Sequence, residues 1–584
     1  MEFKYDPSKG GFQVNLGGAG GAHRLRREKK PRRPINSKGA RIAINLAVTL
    51  AVGLIYFYLS LPAINLHAPE FYGFIFLLCL VYCGCAIVTA GFQSQGAKGY
   101  FDFVKKQCRV PFILVAALVV VALIGALTSW VVLRANSYQK LLTVQTGDFA
   151  SEVDEISYDQ IPMLDGASAQ RLGDRKLGEL ADMVSQFEVA DDYTQINYQG
   201  RPVRVTPLRY GDIIKWFNNR SSGLPAYLII DMVTQNVEVV RLGEEGMKYT
   251  TAEHFSRNLY RYLRFHYPTM MFDEPIFEID EKGTPWWVCA KREKTIGLFG
   301  GDDNRGAVLV NAITGESDYH EQVPSWVDHV YSANLIIQQY DYYGQYHNGF
   351  FNSIFGQRDV TVTTQGYNYL AIGDDVWVYT GVTSVGGDES NIGFLLSNQR
   401  TKETHYYAVA GAEEFSAMGS AEGQVQQMRY SATFPLLLNI ADQPTYFMAL
   451  KDAAQLVKMY AMVNVSQYQI VATGTSVMNC EANYRAMLAQ NGLIGVGQTG
   501  VAAGGELQER VGTITQIRSA VIDGNTWYYY YLSSETGLDA GVFRASAAKL
   551  LIAPLLSEGD RVLVRYRDTD VGQYWIDVYD IGML

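Results

Sequence analysis

The run from Pro111 to Leu133 has no charged residue between Arg109 and Arg134. A helix needs about 20 apolar residues to cross a bilayer, so this run is long enough to span one. Everything after Leu133 mixes polar with apolar residues and holds no further apolar run of that length, so it is expected to be a folded body held beside a membrane. Two more apolar runs come earlier, from Ile42 to about Leu61 and from Phe71 to about Ala90. The segment between them, with Pro62, His67, Pro69 and Glu70, has the length of a tight helical hairpin. Residues 42–133 are therefore read as three transmembrane helices. The first is too long, and begins too far into the chain, for an ordinary cleaved signal peptide, so it is expected to remain.

Charge gives an orientation. Residues 1–41 hold paired glycines followed by Arg24, Arg26, Arg27, Lys29, Lys30, Arg32 and Arg33, with almost nothing to bury, and read as a disordered basic arm. Lys98, Lys105, Lys106 and Arg109 crowd the loop before the third span, whereas Lys and Arg are missing between the first two. Positive residues stay inside, which places the amino terminus in the cytoplasm and residues 134–584 outside the plasma membrane. The whole chain is at −10 despite its basic start, so the outer body is acidic. An acidic surface is a poor partner for bare nucleic acid, and none is expected; membrane lipid is the first partner.

The six cysteines are unevenly placed, and only Cys289 and Cys480 belong to the large acidic portion. They are either one disulfide or two small buried residues.

Residues 134–221 read as a membrane-proximal α+β segment, with a helix near 177–187 and strands around 195–198 and 203–207. The next stretch contains an internal repeat. AYLIIDMVTQNVEVVRL alternates as a strand pair turning near Thr234–Asn236, and a helical stretch follows with Phe255, Leu259, Tyr262 and Leu263 on one face. PIFEIDEKGTPWWVCAKR and GAVLVNAITGES are two more strand runs. The same order returns roughly 160 residues later in IGFLLSNQRTKETHYYAV, a helix over about 412–428, PLLLNIADQPTYFMALKD and VKMYAMVNVSQYQIVATG. These are read as two units, 222–330 and 331–491, each a helix laid on an antiparallel sheet, the second with a β-rich insertion. The expected core holds Leu228, Ile230, Phe255, Leu259, Ile276 and Val308 in the first, and Phe394, Leu396, Leu437, Phe447 and Val463 in the second.

The ending AVLVNAITGES resembles the PepSY-type module of bacterial envelope proteins. The plan of three amino-terminal spans and a Tyr-rich exterior is similar to an uncharacterised family of Gram-positive membrane proteins. The resemblance implies a location and a protein partner at the cell envelope, and no activity. Residues 492–505 have the composition of a Gly-rich linker. Residues 506–584 then order three strands, a helix over 547–556 and two strands, as in the five-stranded OB barrel. The fold class is thus α+β: three membrane helices, duplicated PepSY-like units and a carboxyl-terminal OB-like barrel.

Chemical motifs are sparse. Gly386-Gly387-Asp388-Glu389 and Gly300-Gly301-Asp302-Asp303 are similar to the signature loop of diguanylate cyclases, but four residues are more simply turns, and cyclase chemistry needs a cytoplasmic nucleotide. Asp302, Asp303 and Asn304 lack the staggered acids of a calcium loop. The histidines have no zinc-peptidase spacing, and no serine or cysteine has a nucleophile context. No catalytic residue, metal ligand or cofactor is assigned. The candidate binding surface is Trp527, Tyr529, Tyr531 and Arg565 on the barrel, where alternate aromatics of one strand form a stacking platform while the others enter the core. A basic groove of Arg544, Lys549, Arg561, Arg565 and Arg567 would favour DNA instead. The expected function is a membrane-anchored, non-catalytic scaffold or protein-binding protein of the bacterial envelope. The alternatives are an envelope hydrolase with a dispersed site, or an OB-based binder of glycan or DNA.

Overall fold

A computed structural model describes residues 2–6, 11–15, 38–90, 96–155, 161–386, 390–494, 507–522, 525–533, 539–547, 550, 552–567, 575–578 and 580–583. The chain forms two bodies. One comprises Met1–Arg134, His254–Met271 and Arg292–Asp302, and the other Ala135–Glu253, Phe272–Lys291 and Asp303–Leu584.

In the first body, helices α1 (Lys38–Ser60), α2 (Pro69–Ala90) and α3 (Gly96–Thr128) contain Gly39–Ser60, Pro69–Ala90 and Val104–Thr128, each long and apolar enough to cross a membrane. The third span is displaced from its expected limits. Pro111, read as its start, lies inside α3, and the helix stops at Thr128 rather than Leu133. A proline removes only one helical N–H, and the residues on both sides keep the rest of the ladder. At the far end Thr128 Oγ1 and Ser129 Oγ both donate to the Gly125 carbonyl, at 3.0 and 2.7 Å. Such side-chain bonds compete with the backbone and favour a helix end. Within the arm expected to be disordered, Glu2–Asp6 and Gly11–Asn15 pair as an antiparallel hairpin.

Chain segments from far downstream complete one end of this bundle. The last carbonyls of a helix lack intrahelical donors. Here Arg261 Nε donates to the Tyr58 carbonyl at 3.2 Å and Arg264 Nε to that of Leu61 at 2.9 Å, so two cations sit at the negative end of α1. In the α1–α2 loop, Asn65 Nδ2 donates to the Thr269 carbonyl at 2.9 Å, and His67 Nδ1 bonds the Leu298 carbonyl at 2.8 Å. The arginines come from the helix Leu259–His266, which buries Leu259, Tyr262 and Leu263 as expected. Phe255 departs from the expectation: it is 61% exposed at φ +54°, in a separate 3-10 turn, Phe255–Arg257. The break at Asn258, whose side chain caps the helix, takes it off the shared face.

The second body is built largely of antiparallel sheets. The helix expected near 177–187 lies earlier, at Gly166–Gly178, because Asp165 caps it by accepting from Ser168 N. In the first sheet Phe187–Val189 and Thr194–Tyr198 both pair with Arg201–Tyr210, which is followed by Ala226–Asp231 and Val237–Arg241. The second sheet repeats this plan with Met271–Phe272, Ile276–Ile279, Pro285–Ile296, Gly300–Asn311 and Ser317–His320. The third does so with Thr361–Thr363, Asn368–Ile372, Asp375–Ser384, Gly393–Asn398 and Thr404–Tyr407, to which Gln145–Gly147 adds a sixth, parallel strand, and the fourth with Ser431–Ala432, Leu436–Ile440, Gln443–Lys451, Val457–Asn464 and Val471–Gly474. Residues 222–330 therefore contribute strands to two sheets rather than one. Residues 392–474 likewise contribute strands to more than one sheet. Helix placement differs between the two stretches, since Leu259–His266 belongs to the membrane body while Glu414–Gln424 sends Ala417 and Ala421 into the core of the second.

One turn closes three of these meanders. Asp231, Asn311 and Asn398 each accept two backbone N–H bonds, from residues two and three positions on, at 2.8–3.0 Å. The threonine that follows, Thr234, Thr314 or Thr401, accepts a further N–H at 3.4, 3.2 and 3.3 Å. The next residue is left-handed in all three: Gln235, Gly315 and Lys402, at φ +61°, +76° and +64°. Such Asx and Thr turns are local chemistry that any hairpin can use. Only Gly315 is confined by its surroundings, because an added Cβ would run into the Tyr249 ring. Gly315→Ala should therefore cost roughly 2 kcal/mol or more, combining a left-handed penalty with overpacking. Denaturant unfolding of the full chain measures it, and a loss below about 0.5 kcal/mol would refute the constraint.

Of the expected core residues, Leu228, Ile230, Leu259, Val308, Phe394, Leu396, Leu437, Phe447 and Val463 are buried. Ile276 is half-buried. Cys289 and Cys480 are separate buried thiols, so the disulfide alternative falls. The carboxyl-terminal sheet orders its strands Ile576–Asp577, Asp539–Ser546, Asn525–Ser533, Leu507–Ile522, Arg561–Arg567 and Asp580–Met583. Among the described residues of 547–556, where a helix was expected, there is a 3-10 turn, Ala553–Leu555, containing Pro554, which offers no N–H to continue a helix. Most of the Gly-rich joint lies outside the described residues.

Candidate functional site

The strand Asn525–Ser533 divides its aromatics by alternation. Tyr530 and Leu532 are buried, with Tyr528 packed on the same core, and Tyr530 donates its hydroxyl to the Ala553 carbonyl at 2.6 Å. Burial raises that phenol's pKa. Trp527, Tyr529 and Tyr531 take the opposite face. Register then sets their neighbours: Tyr529 stands opposite Arg518 on one side and Arg544 on the other. The Arg544 guanidinium lies 4.4 Å from the Trp527 ring centre and 4.7 Å from that of Trp575, while Trp575 meets Tyr529 edge-on at 5.8 Å. Arg518 lies 5.8 Å from the Tyr531 ring. Guanidinium over an aromatic face is attractive and holds both groups in place.

Three of the four residues expected from sequence thus share one face, joined by Trp575, Arg518 and Arg544. Arg565 is two strands away, across Leu507–Ile522, and pairs with Glu509 at 2.8 Å. The basic groove of five is not assembled as one. Arg544 and Arg565 are on strands separated by two others, Arg561 accompanies Arg565, and Lys549 and the Arg567 side chain lie outside the described residues. The arginine–aromatic row depends on a bulge between Ile514 and Gln516, which sets Arg518 against Tyr529 and leaves no mark in residue spacing.

The remaining motifs resolve into structure. Gly300-Gly301-Asp302-Asp303 opens a strand instead of forming a solvated turn. Asp302 accepts from Arg292 at 2.7 Å and Lys294 at 2.5 Å. Burial opposes its charge, but those bonds outweigh it and hold the carboxyl below its usual range. Asp303 accepts from Lys402, and Asn304 donates to Asp273 Oδ2 and the Val330 carbonyl. The other motif falls on residues 387–389, outside the described residues. Glu278, fully buried, accepts from the backbone of Asp328 and His329 and from His329 Nδ1, at 2.9–3.0 Å. Burial, and then the Glu278 charge, raise the Asp328 carboxyl well above its usual range. These acids fasten a loop from inside.

No family model matches the chain, and no curated protein does. Solved structures give distant likenesses. A yeast Stn1 and Ten1 structure is similar at 16% identity over 13% of this chain and 42% of that one, with a TM-score of 0.12. A Synechocystis apocarotenoid oxygenase mutant matches at 9% identity over 70% of this chain and 66% of its own, TM-score 0.13. A B. megaterium levansucrase mutant matches at 8% identity over 78% and 94%, TM-score 0.16. The chain spans less than half of the Stn1–Ten1 chain. Likenesses this weak assign no function.

Proposed function

We propose that this chain is a membrane-anchored protein of the bacterial envelope, with its second body outside the cytoplasm, that binds or organises another protein without catalysis. The observation that carries the reading is the row Arg518–Tyr529–Arg544 flanked by Trp527, Tyr531 and Trp575. Tyr, Trp and Arg dominate the energetics of protein contacts when clustered, because they bring large rigid area and directed charge together. The turn chemistry shared by three sheets accounts for AVLVNAITGES by itself, so the reading rests on this face and not on a PepSY module.

A second reading is favoured by strand pairing. Ile576–Asp577 runs parallel to Asp539–Ser546, while the following Asp580–Met583 pairs antiparallel with Arg561–Arg567. That is the connection expected of the last strand of an OB fold, whose ligands are oligonucleotides and oligosaccharides. Crosslinking in native membranes separates the two. The protein-binding reading expects a discrete crosslinked partner that is lost from the Tyr529→Ala, Arg544→Ala double variant while the chain stays folded. A partner retained by that variant, or direct binding of a single-stranded oligonucleotide or glycan by the wild type alone, overturns it.

A further inference from the structure

A cavity of about 600 Å³ opens among α1, α2 and α3. Volumes of about 300–1,000 Å³ are those of small-ligand sites. Its walls include Leu46 of α1, Leu78 of α2 and Leu114 of α3, and Arg41 and Lys106 also line it. The apolar spans begin at Gly39 and Val104, so Arg41 and Lys106 each stand two residues into a span. The end of a span is where hydrocarbon gives way to headgroups. From Arg41 to Thr49, the deepest α1 residue of the lining, the helix rises about 12 Å, most of the roughly 15 Å of one leaflet's hydrocarbon.

Two simpler accounts explain only half of this. Lysine and arginine at the ends of spans commonly reach out to headgroups, which explains the cations but not a cavity between helices. Loose packing would explain a groove that leaves Leu46 and Leu114 about half exposed, but not the two cations that line it. An occupant with an apolar chain and an anionic head satisfies both: the chain fills the walls, and Arg41 and Lys106 neutralise the head.

We infer that this cavity is a binding site for an anionic phospholipid, with its acyl chain among Leu46, Leu78 and Leu114 and its phosphate at Arg41 and Lys106. The inference requires only that the three helices cross a bilayer and is independent of the carboxyl-terminal surface. The test uses the full chain in mild detergent, with lipid retention read by native mass spectrometry. Phosphatidylglycerol should be retained at an added concentration about 10-fold lower than phosphatidylcholine of the same chains. Arg41→Ala with Lys106→Ala should bring that preference below about 2-fold, since each cation near an anionic headgroup contributes appreciably. Leu78→Trp, which fills the cavity, should reduce retention of both lipids; its folding is checked by circular dichroism. Equal retention of the two lipids by the wild type, or a preference that survives loss of both cations, overturns the site.

Discussion

Lys402→Met is expected to destabilise the second body by about 2–3 kcal/mol, between the values for an exposed ion pair and for removing one partner of a fully buried one. Lys402 Nζ lies 2.7 and 2.8 Å from the two carboxylate oxygens of Asp303 and donates to the Leu141 carbonyl at 3.2 Å. The two side chains are 16% and 23% exposed, so water screens the pair little. Without the ammonium, Asp303 keeps Gln339 Nε2, at 3.2 Å, and the Asn304 backbone N–H, at 3.0 Å, as donors, and neutral donors cannot fully balance a desolvated charge. Lysine and methionine are equally strained at φ +64°, so the backbone cancels from the comparison. The pair itself is not the source of the stability. Lys402→Met combined with Asp303→Leu should recover most of the loss, because replacing both charges removes the desolvation cost along with the attraction. Denaturant unfolding of the full chain reads both variants. A single-variant loss under about 1 kcal/mol would mean that the pair behaves as an exposed one.

What the sequence reveals follows the range of each interaction. Membrane helices are announced by hydropathy over their whole length, and α1 and α2 fall where expected; α3 runs through Pro111 instead of starting there, because one lost N–H is tolerable. Strands are announced by alternation, so the burial of Phe394, Leu437 and Phe447 was readable. The sheet to which each strand belongs was not, because Ala226–Arg241 and Ile276–His320 have similar patterns and separate partners. The same division holds at the candidate site. Trp527, Tyr529 and Tyr531 follow from a period of two along one strand, whereas Arg518, Arg544 and Trp575 join them only through register and a bulge. Arg565 shares their composition but sits on another strand, beside Glu509.

Glu414 should make the stability of the second body depend on pH. Its carboxyl is fully buried, and burial pushes its pKa from near 4.5 up to about 7. Its own backbone N–H and the side chains of Asn391 and Thr364 pull the other way, and Glu413 adds to the rise. Tyr379 and Tyr446 also lie near but offer no proton, because their hydroxyls donate to the carbonyls of Pro435 and Ala412, at 3.0 and 2.9 Å. The folded chain therefore holds a proton that the unfolded chain releases near pH 4.5. The stability that this proton contributes is fully present below about 4.5 and is lost as pH rises through about 7, a change of about 3 kcal/mol. Glu414→Gln keeps the shape and cannot ionise. Relative to the wild type it should be nearly neutral at about pH 4.5 and more stable by about 3 kcal/mol at about pH 8. Asp328 is displaced in the same direction, so both proteins will lose stability on raising pH, and only the difference between their unfolding profiles isolates Glu414. Parallel profiles from about pH 4.5 to 8 would show that water or a rearranged neighbour stabilises the ionised carboxylate.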